Sequence, residues 1–282
     1  MWPRNAMFYQ ITEQKALPTH EDLMSFQFTP PASLEWTRSG WVPPQVSDDS
    51  LVYPLAPLTY LTLRTEDKVL PANVVNRHVA AYVHEIETEE KRSVGRKERL
   101  SIKERIIDDL LPRAFTRARN VNAYFHGSRL VLDTVVTSHT EALLPHVRGV
   151  LARPPRCVAQ PSLMMTAWLA DGTAPDGFKL ADSAVLESPS DGAKVKLSGV
   201  DLTCEEVRNH IAAGKQVTEL GLTYADRVRF VVTDDLRLKR IEWLDVLQEE
   251  AAGDHDATRL IVADQLQQIF DALVAAFGGY AE

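Results

Sequence analysis

The sequence predicts an α+β chain with several antiparallel sheets, packed helices and a helical hairpin projecting from the body. Three observations predict it. Between Pro71 and Pro112, apolar residues recur at helical spacing. Between Gln216 and Leu244, three runs alternate apolar and polar residues around Ala225-Asp226 and Asp234-Asp235, the pattern of a β-meander. Ahead of Pro71, short β-prone runs are punctuated by proline pairs, so that part reads as strands and loops.

Taken in order, Phe8 to Ile11 and Leu58 to Arg64 have strand composition, with Thr29-Pro30-Pro31 and Pro43-Pro44 in the loops between them. After Pro71, Val75, Val79, Tyr82 and Ile86 lay one apolar stripe along a helix. That helix enters an acidic-then-basic segment, Glu85 to Arg99, with Gly95 as its break. Ser101 to Glu104 then has capping-box form, in which the hydroxyl accepts a free backbone N–H and the glutamate reaches back. The helix it opens carries Ile102, Ile106, Leu110 and Leu111 and ends at Pro112. Ala123 to His126 and Arg129 to Thr134 flank Gly127-Ser128 as a hairpin. Ser138 to Glu141 is a second capping box, opening a helix with Leu143, Leu144, Val147 and Leu151 on one side. Arg153-Pro154-Pro155-Arg156 reads as a boundary. Thr203 to Glu206 is a third capping box, and its helix runs to Gly214. After the meander, a strand at Leu260 to Val262 precedes a helix bearing Leu266, Ile269, Phe270 and Leu273, capped by Gly278-Gly279.

Hydrophobic residues make up 45% and charged residues 25% of 282 residues, enough apolar material for a core without disulfide or metal staples. The two cysteines, Cys157 and Cys204, suit neither a zinc site nor a disulfide scaffold, so both are expected as reduced thiols. The start has no apolar signal-peptide core, and no run approaches the ~18 apolar residues of a membrane span. The expected location is the cytoplasm, with no membrane partner.

Formal charge is −8, but it is unevenly spread. From Lys91 to Arg119 there are ten basic residues: Lys91, Arg92, Arg96, Lys97, Arg99, Lys103, Arg105, Arg113, Arg117 and Arg119. Four acids share the stretch (Glu98, Glu104, Asp108 and Asp109), which leaves +6 there and −14 elsewhere. Such asymmetry marks a local polyanion site; the other reading is a solvated helical arm of mixed charge. In the meander, Arg227 and Arg229 share a strand face with Val231, and Arg237 and Lys239 share one that continues into Ile241 and Trp243. Four cations there can meet a row of phosphates, or pair with Glu219, Asp234 or Asp235. Trp41 reads as a local core plug. Phe115, flanked by Arg113, Arg117 and Arg119, suits an interface anchor or a stacking platform beside phosphates.

No catalytic residues are expected. The chain lacks a phosphate loop of the Gly-x-x-x-x-Gly-Lys-Ser/Thr type, a Gly-x-Ser-x-Gly elbow and a Gly-x-Gly-x-x-Gly turn. His84-Glu85 has no second histidine at the spacing of a helical zinc protease, and His126, His139 and His146 have no carboxylate or cysteine at a supporting spacing. Asp108-Asp109 and Asp234-Asp235 are pairs that a Mg²⁺-dependent nuclease could draw on, but adjacent acids point to different sides of a strand. No metal and no cofactor is expected.

Gly40-Trp-Val-Pro-Pro44, Val69-Leu-Pro71, Leu110-Leu-Pro-Arg-Ala-Phe115, Asp201-Leu-Thr203 through Asn209-His210, and Ala213-Gly-Lys215 occur in one order along the chain. With Arg227 to Val231, Leu238-Lys-Arg-Ile241 and Gly278-Gly279, this ordered set resembles the recombination-associated protein RdgC family. The resemblance implies an α+β homodimer closed head-to-head and tail-to-tail into a ring with a basic hole. It implies binding of double- and single-stranded DNA without sequence preference, association with the nucleoid, and restraint of RecA by occupying DNA. By likeness, residues 1–70 and 112–156 form a central domain, 71–111 a helical tip, and 157–282 a base domain with the meander and the C-terminal helix. Phe115 would lie at the head-to-head contact. The DNA-contacting residues expected are Lys91, Arg92, Arg96, Lys97, Arg99, Arg113, Arg117, Arg119, Arg227, Arg229, Arg237 and Lys239. Before Asp201 this chain departs from the family, with Gly199 and Val200 where lysine and glutamine are usual. A protein–protein regulator of recombination with only weak DNA binding is the alternative.

Overall fold

The computed structural model describes residues 2–14, 16–45, 49–147 and 150–281. Strand β1 (Met7–Gln14), helix α1 (His20–Met24) and strands β2 (Thr37–Val42), β3 (Tyr53–Leu55) and β4 (Leu58–Val69) come first. Helices α2 (Ala72–Glu90) and α3 (Arg96–Leu110) follow, then a 3-10 turn at Leu111–Arg113, β5 (Phe115–His126) and β6 (Arg129–Leu132). Next are α4 (Thr137–Leu143), a 3-10 turn at Leu144–His146, β7 (Val150–Arg153), α5 (Pro161–Asp171), β8 (Phe178–Glu187) and β9 (Lys194–Ser198). The chain ends with α6 (Glu205–Ala212), β10 (Gln216–Tyr224), β11 (Val228–Thr233), β12 (Leu238–Trp243), α7 (Asp245–Ala251) and α8 (His255–Ala276). Among the described residues the strands form two sheets, ordered β2-β4-β5-β6-β1-β7, with β3 on β4, and β12-β11-β10-β8-β9. The fold is α+β, as the sequence predicts.

The chain divides into two compact units, residues 1–18, 52–60 and 122–282 in the first, and 19–51 and 61–121 in the second. Residues 154–156 lie inside the first. Its core is the buried face of the meander packed on α8. Leu220, Leu222, Val228, Phe230, Val232 and Leu238 meet Leu266, Ile269, Phe270 and Leu273, and α5 adds Met165, Trp168 and Leu169. At about 1.5–3 kcal/mol per large side chain buried, this face is the main source of stability in the unit.

The second unit carries the β2–β4 pair, with Thr37 opposite Asp67 and Val42 opposite Thr62, and the α2–α3 hairpin. Trp41 is fully buried, the core plug that the sequence predicts. Gly40 beside it is required by a close approach: a Cβ there would stand 2.5 Å from the Phe28 Cα. The hairpin has its own small core of Val75, Val79 and Val83 against Ile102, with Tyr82, Ile86, Ile106 and Ile107 around it. Only Ile102 of α3 is buried, so most of that helix stands in water.

Five local expectations are corrected. First, α3 begins at Arg96 and not at Ser101. Gly95 is its N-cap, and Glu98, three residues on, accepts the Gly95 N–H, which is the acidic half of a capping box. Second, α4 has no side-chain cap at Ser138; the Val136 N–H donates to the Thr134 hydroxyl. Pro145 then ends regular helix, and Leu151 sits exposed on β7. Third, Thr203 donates its hydroxyl to Asp201 at 2.7 Å, leaving Cys204 as the N-cap of α6. Fourth, Leu260 to Val262 is helical: Asp254 accepts from the Asp256 and Ala257 N–H groups and starts α8 ahead of it. An unbroken apolar stripe outweighs the β-branched pair Ile261-Val262. Fifth, Arg240 takes a φ of 51° and the β11–β12 register shifts there. This bulge turns Ile241 and Trp243 inward, away from the face of Arg237 and Lys239, and Val231 is buried too. The close of α6 is as expected: Gly214 at φ 85° lets its own N–H reach Ile211 O and the Lys215 N–H reach His210 O.

Candidate nucleic-acid interface

Two sets of cations come from the sequence, one in each unit, and they differ in what already holds them. On β11 and β12, every expected residue has an acidic partner. Arg227 pairs with Glu250, Arg229 reaches Asp182 at 3.9 Å, Arg237 holds Asp235 at 2.6 Å and Lys239 holds Glu219 at 2.9 Å. Arg237 also donates to the Val135 carbonyl at 2.6 Å. Their outward direction follows from strand alternation, with Leu238, Val228 and Phe230 facing the core between them.

The second unit is different. Lys91 takes a left-handed φ of 50° to end α2, and all of Lys91 to Ser93 is exposed. Arg92 is held by Glu90 at 2.5 Å and Glu98 at 2.6 Å, which raises the guanidinium pKa and holds the Glu98 carboxyl below its ordinary value. Arg96, Lys97, Arg99 and Lys103 project from α3 with no ion-pair partner among the described residues. They line a groove of about 580 Å³ together with Asn76, Val79 and Leu100. Arg105 stacks over the Tyr82 ring at 4.5 Å.

Past the 3-10 turn that holds Arg113, β5 runs exposed from Phe115 to Asn120, then buries Val121, Ala123, Tyr124 and Phe125. Alternation puts Phe115, Arg117 and Arg119 on one face. Phe115 is 87% exposed, the most exposed large apolar side chain among the described residues. Arg119 pairs with Asp67, which also accepts the Thr37 hydroxyl at 2.6 Å.

The twelve expected residues therefore split evenly. Arg92, Arg119, Arg227, Arg229, Arg237 and Lys239 are ion-paired. Lys91, Arg96, Lys97, Arg99, Arg113 and Arg117 are not, among the described residues, and all six lie in the 91–119 stretch. Sequence reading passed over Lys103 as a site residue, and with it the groove that Asn76 and Leu100 help to line. The signal was present in Leu100, whose neighbours at i−4, i−3 and i+3 are Arg96, Lys97 and Lys103.

The Asp234-Asp235 pair is already engaged by its surroundings. Asp235 accepts from the Thr233 hydroxyl at 2.5 Å and is engaged by Arg237, while partial burial and the neighbouring Asp235 charge raise the Asp234 carboxyl. Among the described residues, no group of three or more His, Cys, Asp or Glu could hold a metal ion. His139 bonds the Thr134 hydroxyl through Nδ1 at 2.9 Å. No helix of the described residues is long and apolar enough to cross a membrane.

Comparison with known proteins is consistent along the whole length. The family described as "Putative exonuclease, RdgC" matches residues 1–280. The chain is 44% identical over 269 residues to the recombination-associated protein RdgC of Laribacter hongkongensis, covering 90% of each. It is 36% identical over 301 residues to that of Neisseria meningitidis strain FAM18, covering all of both, and 34% identical to that of Halorhodospira halophila. On this full-length agreement, the chain belongs to the RdgC family.

Proposed function

We propose that this protein binds double- and single-stranded DNA through the phosphate backbone, without reading sequence, and so restrains RecA-dependent recombination in the nucleoid by occupying DNA. The observation that carries the reading is the set of six cations with no ion-pair partner among the described residues, clustered in one stretch of an otherwise acidic chain. Arginine forks and lysine ammonium groups bind phosphate by charge-assisted hydrogen bonds. A cation already held by a carboxylate must give up that pair first. An exposed pair contributes about 0.2–1 kcal/mol, and that amount is subtracted from each new phosphate contact. The grip therefore falls mainly on Lys91, Arg96, Lys97, Arg99, Arg113 and Arg117, with the β11–β12 cations and Arg92 and Arg119 as weaker contributors.

The protein acts as a homodimer closed into a ring, with the exposed Phe115 as an apolar anchor of the head-to-head contact. An 87% exposed phenylalanine among arginines is poorly placed in a lone chain and well placed at a contact between copies. Gly199 and Val200, at φ 67° and 39% exposed, stand where the family carries polar side chains, so the tail-to-tail contact here is less polar.

The family description names an exonuclease. Our reading is a binding protein without a catalytic centre; at the Asp234-Asp235 turn, Asp235 is held by Thr233 and Arg237, and burial raises the Asp234 carboxyl pKa. One titration separates the readings. Labelled duplex and single strand are mixed with protein in Mg²⁺ at low and moderate salt. Both strands are expected to bind at low salt, to release as salt rises, and to remain full length. Shortened strands would establish the nuclease. Absence of binding at low salt, with RecA still inhibited, would establish a protein–protein regulator.

A further inference from the structure

The α2–α3 groove has a composition that phosphate binding leaves unexplained. Its charged lining is entirely basic, yet it also includes Leu100, an aliphatic side chain 58% exposed to water, and Val79 of α2. Helix geometry makes the arrangement. Arg96, Lys97 and Lys103 stand one turn from Leu100, and Arg99 adds a fourth cation to the lining; Glu104, also one turn away, is not among the lining residues. The nearest acid on the sequence, Glu98, is turned to Arg92 at 2.6 Å.

A DNA backbone has no use for the leucine. Sequence-blind single-strand binding draws on aromatic platforms on which bases stack, and no residue lining the groove is aromatic. An apolar anchor in a charged rim is instead the layout of a protein-docking hot spot. Charge complementarity then selects the partner.

We propose that this groove docks a short acidic peptide segment of a partner protein, one aliphatic or aromatic side chain covering Leu100 while Asp or Glu carboxylates meet Arg96, Lys97, Arg99 and Lys103. The partner is recognised by that chemistry alone. The site goes beyond the DNA-binding reading and does not depend on it.

The test uses the full-length protein and two labelled peptides, one of several aspartates ending in a phenylalanine and one with serine in place of the phenylalanine. Fluorescence anisotropy is read for each, and for labelled duplex DNA, on wild type and on Leu100→Ser. The wild type is expected to prefer the phenylalanine peptide by about tenfold. Leu100→Ser is expected to abolish that preference while duplex affinity stays within about twofold, since no charge is removed. Leu100 is exposed, and the serine peptide on wild type reads the anchor without any substitution. Equal binding of both peptides to wild type would overturn the proposal. So would a Leu100→Ser variant that loses duplex and peptide affinity alike, which would assign the groove to DNA.

Discussion

Asp133 is half-buried and accepts two hydrogen bonds from Asn122, from its backbone N–H at 2.8 Å and from its Nδ2 at 2.6 Å. Burial raises its carboxyl pKa, and the Asn122 bonds only partly oppose that. The consequence for stability has a definite sign. Because the folded pKa lies above the unfolded one, the folded state holds its proton longer. The contribution of Asp133 is greatest in acid and falls as pH rises from the ordinary carboxyl range through the folded value. Asp133→Asn removes this titration. The stability of the variant relative to wild type is therefore expected to improve between about pH 4 and about pH 7, read by parallel urea melts; a pH-independent difference would contradict the assignment. Nothing at this scale was legible beyond residue type. The cations of the 91–119 run stand out in the sequence, but their pairing does not. Asp67 reaches Arg119, Glu219 reaches Lys239 and Glu250 reaches Arg227 across 52, 20 and 23 positions, distances that only the folded chain closes.

At the scale of elements, the periodicity of α2 and of the meander was a dependable signal, whereas the stripe from Leu143 to Leu151 and the local capping rules were not. The stripe Val75, Val79, Tyr82 and Ile86 located α2, and the alternation from Gln216 located the meander. Capping boxes at Ser101, Ser138 and Thr203 each lost to a nearby competitor: the Gly95 start, the Thr134 hydroxyl and the Asp201 carboxylate. Each competitor lies only a few residues away and ties up the same backbone or side-chain groups, so spacing alone cannot rank them. The Arg240 bulge was invisible for the same reason, since it depends on the register of β12 against β11. Strand β5 carries the prediction that belongs here. Its outer half exposes Phe115 in line with Arg117 and Arg119, while Val121, Ala123 and Phe125 hold the inner half in the core. Phe115→Ala is expected to leave the thermal transition unchanged and to weaken self-association by about tenfold or more, measured by light scattering over a protein dilution series. An unchanged dimer would remove Phe115 from the contact.

For the whole molecule, the −8 formal charge conceals two sets of cations, one that includes six without an ion-pair partner among the described residues and one whose four members are all paired. Composition revealed the asymmetry but not this distinction, which separates residues able to meet phosphate at once from those that must first release a partner. Each phosphate neutralised on duplex DNA contributes about −0.9 to the slope of log K against log salt. The decisive measurement is that slope for wild type, for Arg96→Ala/Arg99→Ala/Arg117→Ala, and for Arg227→Ala/Arg237→Ala/Lys239→Ala. The first triple variant is expected to lose about 2.7 from the magnitude of the slope, and the second less than about half as much. Equal losses, or a larger one from the β11–β12 variant, would contradict the claim that the unpaired cations of the 91–119 stretch carry the DNA grip.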